Sequence, residues 1–269
     1  MIDILLPLYN GEKYLSQQLD SILGQSFADW RVLVRDDGST DNSIDILNKY
    51  ISKYPHKFVL IDDRFGNQGT TGCINILLNH VTSDYFMFCD QDDIWEPNKI
   101  DVSMKEINRL EIENPEKPLL VCSDAGCIDG NGKTICSSFF DSQKFIDTTD
   151  NVHKMLALNV VQGSTALMNK HVLDVIRGIP NGLYHDWWTA VNVVHYGKIS
   201  YIHQPLLKYR QHQSNVVGAL NVGARYLLLK LSHLKRQLGI YVLMYKSLKF
   251  KPSVIKWAYY KFIINIHRF

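Results

Sequence analysis

The sequence predicts an α/β protein with a Rossmann-like, mainly parallel sheet and helices on both faces. Short apolar runs alternate with segments whose apolar residues recur at helical spacing, and polar turns separate the two. The chain has 269 residues, 46% of them hydrophobic, which is enough for a sizeable core. This length favours one large domain, or one domain with an appendage.

Five strands and four helices are predicted before residue 123. The predicted strands are at residues 4–6, 30–34, 58–61, 85–89 and 119–122. The predicted helices are at residues 15–23, 44–51, 71–80 and 97–110. In such sheets ligands bind beyond the carboxyl ends of the strands, so the polar turns that follow strands are where a site is expected.

The strand–helix alternation ends after residue 123. The later predictions are a hairpin turn at 129–132, an irregular stretch at 137–152, a strand at 165–168, a helix starting near Asp186, a strand at 199–203 and two basic helices separated by Pro252. We therefore expect a main domain at 1–215, divided into halves at 1–123 and 124–215, and a basic amphipathic helical extension at 216–269.

Charge is divided unevenly along the chain. Residues 1–186 carry 16 Lys or Arg and 27 Asp or Glu, whereas residues 187–269 carry 13 Lys or Arg and no acidic residue. A basic segment rich in aromatic and aliphatic residues is suited to anionic lipid, nucleic acid or a polyanionic substrate. The one run of 18 or more residues without Asp, Glu, Lys or Arg, at 65–83, is interrupted by Asn, Gln, Thr and Gly and is not an apolar span. No signal-peptide pattern opens the sequence, so we expect a cytoplasmic protein.

Three carboxylates follow the predicted strand at 85–89. Asp90, Asp92 and Asp93 would repel one another unless a cation or a hydrogen-bond network offset their charge. Oxygen ligands favour Mg²⁺ or Mn²⁺, bound through one or two carboxylates and completed by substrate phosphates. The alternative is a solvated turn in which Asp93 caps the following helix.

Two further polar turns follow strands. Asp37 lies in the turn at 36–40, where an aspartate could accept a hydrogen bond from a base or a ribose, although Asp-Gly turns are also common structural features. Asn67 follows the third strand. The first strand is followed by neither a P-loop nor a G-x-G-x-x-G turn, which weakens the kinase and dehydrogenase interpretations.

Two later segments combine charge with aromatic rings or amides. Asp186 precedes Trp187 and Trp188 at a helix start, which suits a general base beside a sugar-binding platform, or an N-cap aspartate followed by two core tryptophans. In the stretch 209–215, Arg210 could neutralise a phosphate and His212 could ligate a metal.

Taken together these motifs resemble the inverting family 2 glycosyltransferases with the GT-A fold. The resemblance covers about residues 1–215 and rests on five segments in order, at residues 6–11, 21–27, 35–41, 67–69 and 90–99. It implies an enzyme that moves a sugar from a nucleoside-diphosphate sugar to an acceptor hydroxyl, with a divalent metal as cofactor and no nucleic-acid partner.

The resemblance also implies roles for individual residues. It assigns nucleotide-sugar binding to Pro7, Tyr9, Asn10, Asp37, Asn67, Asp90, Asp92 and Arg210. Asp92 and His212 would hold the metal. Asp186 would be the catalytic base, although His185 replaces the more usual acidic neighbour, and Trp187 and Trp188 would bind the acceptor.

The segments at 90–95, 185–188 and 209–215 resemble more closely the rhamnosyltransferase-like enzymes of bacterial surface-polysaccharide assembly, such as O antigen or capsule. The first expectation is therefore a hexosyltransferase that uses dTDP-rhamnose and a glycan or lipid-linked glycan acceptor. A UDP-sugar donor is the alternative.

Two other classes of protein stay open. A sugar nucleotidyltransferase should show a Gly-rich, basic loop after its first strand. A non-catalytic carbohydrate-binding protein would leave the carboxylates at Asp90, Asp92 and Asp93 without a role. The extension at 216–269 would contact the inner face of the membrane, or else form a cap on the domain or a dimer contact.

Overall fold

A computed structural model gives the fold of the chain and describes residues 1–211 and 234–268. The strands of the described part are β1 (Ile2–Leu8), β2 (Trp30–Asp36), β3 (Phe58–Leu60), β4 (Tyr85–Phe88), β5 (Ile94–Trp95), β6 (Leu119–Asp129), β7 (Thr134–Cys136), β8 (Leu167–Asn169) and β9 (Lys198–Gln211).

The helices of the same part lie mainly between these strands. They are α1 (Leu15–Leu23), α2 (Ser43–Lys53), α3 (Gly69–Leu78), α4 (Lys99–Glu113), α5 (Phe139–Ser142), α6 (Val152–Ala157), α7 (Leu173–Ile176), α8 (His185–Tyr196), α9 (Leu234–Ser247) and α10 (Val254–Arg268). Short 3₁₀ turns occupy Gly163–Thr165 and Lys170–Val172.

The described strands form one sheet in the order β3-β2-β1-β4-β8-β6-β9-β5, with β7 paired to β6. The pairs among β3, β2, β1 and β4 are parallel, β8 runs antiparallel between β4 and β6, and β6 and β9 are parallel. This arrangement confirms the predicted mainly parallel sheet. Parallel neighbours need long crossover connections, which the helices between the strands supply.

Alternate residues of the central strands fill two core layers, one on each face of the sheet. Leu5 packs with the layer that contains α3 and α8, whereas Ile4 and Leu6 pack with the layer that contains α1 and α4. Successive strand residues point to opposite faces, so a strand buried on both sides must be apolar throughout. The predicted placement of helices on both faces is confirmed.

The second half of the sheet differs from the prediction in strand length. β6 continues to Asp129 and β9 continues to Gln211, well beyond the apolar runs that indicated them. The two strands stay paired to Asp129 and Gln211 across two register shifts, one between Ser123 and Asp124 and one between Asp124 and Gly126. Residues 209–211 therefore belong to a strand instead of following one. The hairpin turn at 129–132 is confirmed, and it joins β6 to β7.

The two C-terminal helices pack against the domain through one face each. Met244 and Leu248 near the end of α9 and Ile264 of α10 are buried. The Tyr241 ring of α9 packs edge to face against Trp187, with ring centroids 5.0 Å apart. The basic helical extension is thus present. No helix in the described residues is both long enough and apolar enough to cross a membrane.

Candidate active site

The loops beyond β1, β2 and β4 and the start of α8 meet in one cleft of about 1480 Å³. Parallel strands end at the same edge of a sheet, so residues far apart in sequence are brought together there. The sequence-predicted residues that line the cleft are Pro7, Tyr9, Asn10, Asp37, Asn67, Asp90, Asp92, Asp186 and Trp187.

Gln91 connects the loop between β4 and β5, residues 89–93, to the loop after β1, and the former is here called the acidic loop. Its side-chain Nε2 donates to the Tyr9 carbonyl at 2.9 Å, and its Oε1 accepts from the Tyr9 amide at 2.8 Å. A Cβ at Gly11 would lie 2.8 Å from the Gln91 amide carbon, so only glycine fits this contact. No role was predicted for Gln91 from the sequence, although it lies between Asp90 and Asp92.

Asp37 organises the loop that follows β3. Its carboxylate accepts from the backbone amides of Gln68 and Gly69 at 2.7 and 2.8 Å, and it pairs with the buried Arg35. Asn67 donates from Nδ2 to the Asp37 carbonyl at 3.0 Å. Both predicted residues therefore shape the cleft wall. The signal that could have marked Arg35 is its position directly after the apolar run at 32–34 of β2.

Asp93 is completely buried and does not face the cleft. Its Oδ1 accepts from the Arg210 backbone amide at 3.0 Å, and burial raises its pKa well above the usual range. The alternative of a solvated turn with Asp93 as helix cap is wrong, because α4 begins at Lys99 with Asn98 as its N-cap residue.

Asp90 and Asp92 both line the cleft. Burial and the negative charge of Asp92 raise the pKa of Asp90 to about 6, while the Ser164 hydroxyl and His185 act in the opposite direction. A divalent cation would offset the repulsion between these carboxylates, and two carboxylates completed by substrate phosphates suit Mg²⁺ or Mn²⁺.

The donor set for a metal is small. Among residues 1–211 and 234–268 no group of three His, Cys, Asp or Glu side chains is arranged to hold an ion. His212 lies outside the described residues. The predicted site therefore fits a cation that takes most of its ligands from substrate and water.

Asp186 lies in the first turn of α8, where burial has the largest effect on its pKa. Burial raises the pKa of Asp186 to about 6, and hydrogen bonds from the backbone amides of Trp187 and of Asp186 itself offset only part of that effect. The Trp187 amide donates to Asp186 Oδ1 at 2.6 Å. The sequence alone did not show whether the pKa of Asp186 would be raised or lowered, because apolar surroundings raise the pKa of a carboxylate and a helix N-terminus lowers it.

His185 packs tightly beside Asp186. Its ring lies edge to face against Phe88 with centroids 4.9 Å apart, and a Cβ at Gly163 would come within 2.8 Å of its Nε2. Burial lowers the pKa of His185, so the imidazole is neutral at neutral pH. A neutral imidazole in this position has one ring nitrogen that donates and one that accepts.

The structure does not bring Trp188 to the cleft. Its indole Nε1 donates to the Ile176 carbonyl at 3.0 Å, and the side chain lies in the core. Trp187 does line the cleft and donates from Nε1 to the Met155 carbonyl at 3.0 Å. Neighbouring helical residues point about 100° apart, which explains why only one of the two reaches the site.

Arg210 also lies outside the cleft lining. Its buried guanidinium donates from Nε to the Asp92 carbonyl and from an Nη to Gln17 Oε1, each at 2.7 Å, and it lies over the Tyr14 ring at 4.4 Å. It therefore holds the backbone of the acidic loop against α1. This differs from the expected direct contact with a donor phosphate.

A mainly parallel α/β sheet that gathers strand-end carboxylates and a helix-start aspartate into one large cleft is the architecture of a glycosyltransferase with the GT-A fold. Residues 3–116 match the model of Glycosyl transferase family 2. This match relates residues 3–116 of the chain to the family 2 glycosyltransferases.

Curated relatives carry related names. The chain is 27% identical over 80% of its length to an uncharacterized glycosyltransferase of Nostoc sp., and it spans 66% of that relative, slightly under two thirds. It is 28% identical over 82% of its length to the dTDP-rhamnosyl transferase RfbG of Shigella flexneri, covering 76% of it. The β-1,3-glucosyltransferase WfgD of Escherichia coli, named for UDP-Glc, is 24% identical, with 80% and 79% of the two chains covered.

Solved structures support the fold. The chain superposes over its full length on 72% of S. aureus TarS residues 1–349 in complex with UDP-GlcNAc, with a TM-score of 0.63 and 16% identity. The mannosyltransferase PcManGT from Pyrobaculum calidifontis, in complex with GDP-Man and Mn²⁺, matches the full chain over 80% of its own length, with a TM-score of 0.56 and 14% identity.

Proposed function

We propose that this protein transfers a hexosyl unit from a nucleoside-diphosphate sugar to an acceptor hydroxyl with inversion, and that Asp186 is the base. The observation that carries this proposal is the position of Asp186 in the same cleft as Asp90 and Asp92, with its pKa raised to about 6. Such a carboxylate is charged at neutral pH and accepts a proton more readily than an ordinary aspartate.

In the proposed reaction the donor nucleoside binds along the loops that contain Pro7, Tyr9, Asn10, Asp37 and Asn67. Asp90 approaches the ribose. Asp186 removes the acceptor proton while the acceptor oxygen attacks the anomeric carbon opposite the diphosphate, whose bond to the sugar breaks in the same displacement. The product is a glycoside of inverted configuration and a free nucleoside diphosphate.

The remaining polar residues have supporting roles in the proposal. Asp92, together with His212 from outside the described residues, would bind Mg²⁺ or Mn²⁺, which when bound supplies Lewis acidity to the leaving diphosphate. Arg210 would act as a positioning residue, because its bond to the Asp92 carbonyl fixes the loop that presents the Asp92 side chain. Trp187 would provide an aromatic surface for the acceptor.

The donor we propose first is dTDP-rhamnose, with RfbG as the supporting relative, and a UDP-sugar is the alternative, supported by WfgD and TarS. The acceptor would be a glycan or a lipid-linked glycan of a bacterial surface polysaccharide, reached on the inner face of the cell membrane. In this scheme residues 1–123 hold the donor, 124–215 the acceptor, and 216–269 adjoin the membrane.

Calorimetry with dTDP, UDP and GDP, with and without Mn²⁺, tests donor recognition. Metal-dependent binding of one nucleoside diphosphate is expected. Transfer from the matching sugar nucleotide to lipid-linked acceptors, read by mass spectrometry, then tests the reaction. If none of the three nucleotides binds with or without the metal, the proposal fails.

Asp186→Asn tests the base. The variant keeps the volume of the side chain but cannot take a proton, so we expect turnover to fall by about 10² to 10⁴-fold while donor binding is unchanged. Turnover equal to that of the unaltered protein would exclude Asp186 as the base.

A further inference from the structure

The outer face of α10 is apolar although it faces solvent. Five residues on it, from 42% to 83% exposed, are here called the outer stripe: Ile255, Tyr259, Phe262, Ile263 and Ile266. At about 100° of rotation per residue, they fall within roughly 100° of arc on one side of the helix. Ile264, which is buried, lies on the opposite side.

The neighbouring helix repeats this arrangement. Leu238, Val242 and Tyr245 of α9 are spaced four and three residues apart, and each is exposed. Their helix is fixed to α10 by the Tyr241 and Trp257 rings, whose centroids are 5.0 Å apart. A pair of helices packed on the domain by their inner faces thus presents aliphatic and aromatic side chains outward, where a soluble surface helix would be polar.

The two C-terminal helices also carry exposed basic residues. Lys256 is exposed on α10 itself, and Lys246 and Lys249 are exposed at the end of α9. No acidic residue occurs anywhere in residues 187–269. An exposed apolar stripe on a pair of helices whose charged residues are all basic has the composition of a helix that lies in the plane of a membrane interface, with its apolar face among the acyl chains.

We infer that the α9–α10 pair docks the protein on an anionic lipid bilayer through the outer stripe. Charge complementarity favours this occupant over a second copy of the chain. A two-fold symmetric contact would place the same surface against itself and bring lysine beside lysine, whereas an anionic leaflet attracts every lysine at its surface.

The helices that carry the docking surface also line the cleft, with the sides that face away from the outer stripe. Arg236, Ile240 and Leu243 of α9 and Arg268 of α10 are among the residues that line the cleft. The helices that would lie on the bilayer therefore also wall the site, so an acceptor anchored in lipid would reach the cleft from the membrane surface. This last step rests on the proposed transferase function, while the docking itself does not.

Co-sedimentation of the full chain with lipid vesicles tests the inference. The vesicles are phosphatidylcholine alone or with about one third phosphatidylglycerol, matched in size. We expect binding to the anionic vesicles at low salt, much weaker binding to the neutral ones, and weakening by added salt because surface charges are screened. Failure to bind the anionic vesicles would overturn the inference.

The double variant Ile255→Ser, Phe262→Ser removes two exposed residues of the stripe. It should weaken binding to anionic vesicles at least tenfold, since both side chains would lose apolar burial in the bilayer. The matched control is Ile112→Ser on α4, because Ile112 is 85% exposed but belongs to another helix. Equal binding by the double variant and the control would overturn the assignment of the stripe.

Two further measurements separate the alternatives. If sedimentation velocity without lipid shows a dimer that the double variant abolishes, the stripe is a self-association surface and the lipid inference is wrong. Transfer to a short soluble acceptor should be unchanged in the double variant. If the unaltered chain, the double variant and the control all fail to transfer sugar while the unaltered chain still binds vesicles, the proposed function is contradicted and the docking inference is not.

Discussion

At the scale of single residues, the chemistry of the cleft depends on how well water reaches Asp186. The carboxyl lies at a helix N-terminus, which favours its charged form, yet burial dominates and raises its pKa to about 6. A carboxylate with this pKa keeps its charge at neutral pH and binds a proton more tightly than an ordinary aspartate, as the proposed role of base requires.

This pKa predicts the pH dependence of turnover. Protonated Asp186 cannot act as a base, so kcat should fall about tenfold per pH unit below about 6 and level off above about 7. A pH series of kcat at saturating donor checks this expectation. A kcat that is constant from about pH 5 to 8 would mean that another group takes the proton.

The positions of polar residues directly after predicted strands were enough to predict which loops meet in the cleft. They were not enough to tell Trp187 from Trp188, because adjacent residues of one helix differ only in the direction in which they point. The same holds for Arg210, whose backbone position is close to the acidic loop but whose guanidinium turns toward α1 and away from the cleft lining. Direction depends on packing partners that are distant in sequence.

At the scale of elements, apolar periodicity located the longer helices and strands but underestimated β6 and β9. It missed the short elements β5, α6 and α7, and also α5, which lies in the stretch 137–152 that was predicted to be irregular. An apolar run indicates only the part of a strand that is buried on both sides. The outer halves of these two strands contain polar residues and are held by pairing with each other, which no local pattern reveals.

An isoleucine-to-alanine substitution should affect the free energy of unfolding very differently on the two faces of α10. Ile264→Ala should lower the free energy of unfolding by about 2–5 kcal/mol, because it leaves a cavity beneath the helix. Ile266→Ala, at a residue that is 58% exposed, should change it by no more than about 0.5 kcal/mol. Urea denaturation without lipid measures both, and equal losses would contradict the packing of this helix.

At the scale of the whole molecule, the two core layers share the same strands and cannot separate from each other. Leu5 and Leu6 are adjacent and completely buried, one in each layer. Loss of either layer would leave one face of the central strands in water, so the layers should unfold together.

Leu5→Ala and Leu6→Ala test this coupling. Each should lower one and the same melting temperature by about 5–15 °C, because a buried leucine is removed from a shared sheet. Calorimetry of each variant and of the unaltered chain is the measurement. A second transition that moves in only one of the variants would show that the layers melt independently.

The order of strand pairing also matters while the protein is being made. β1 to β4 can assemble once residues 1–88 have left the ribosome, but the free edge of β4 must wait for β8, roughly 80 residues later. At about 5–20 residues per second, an apolar strand edge stays uncovered for several seconds on each nascent chain. Chaperone binding during translation should therefore matter most in this interval, and slow codons placed between the two strands should lower the yield of folded protein.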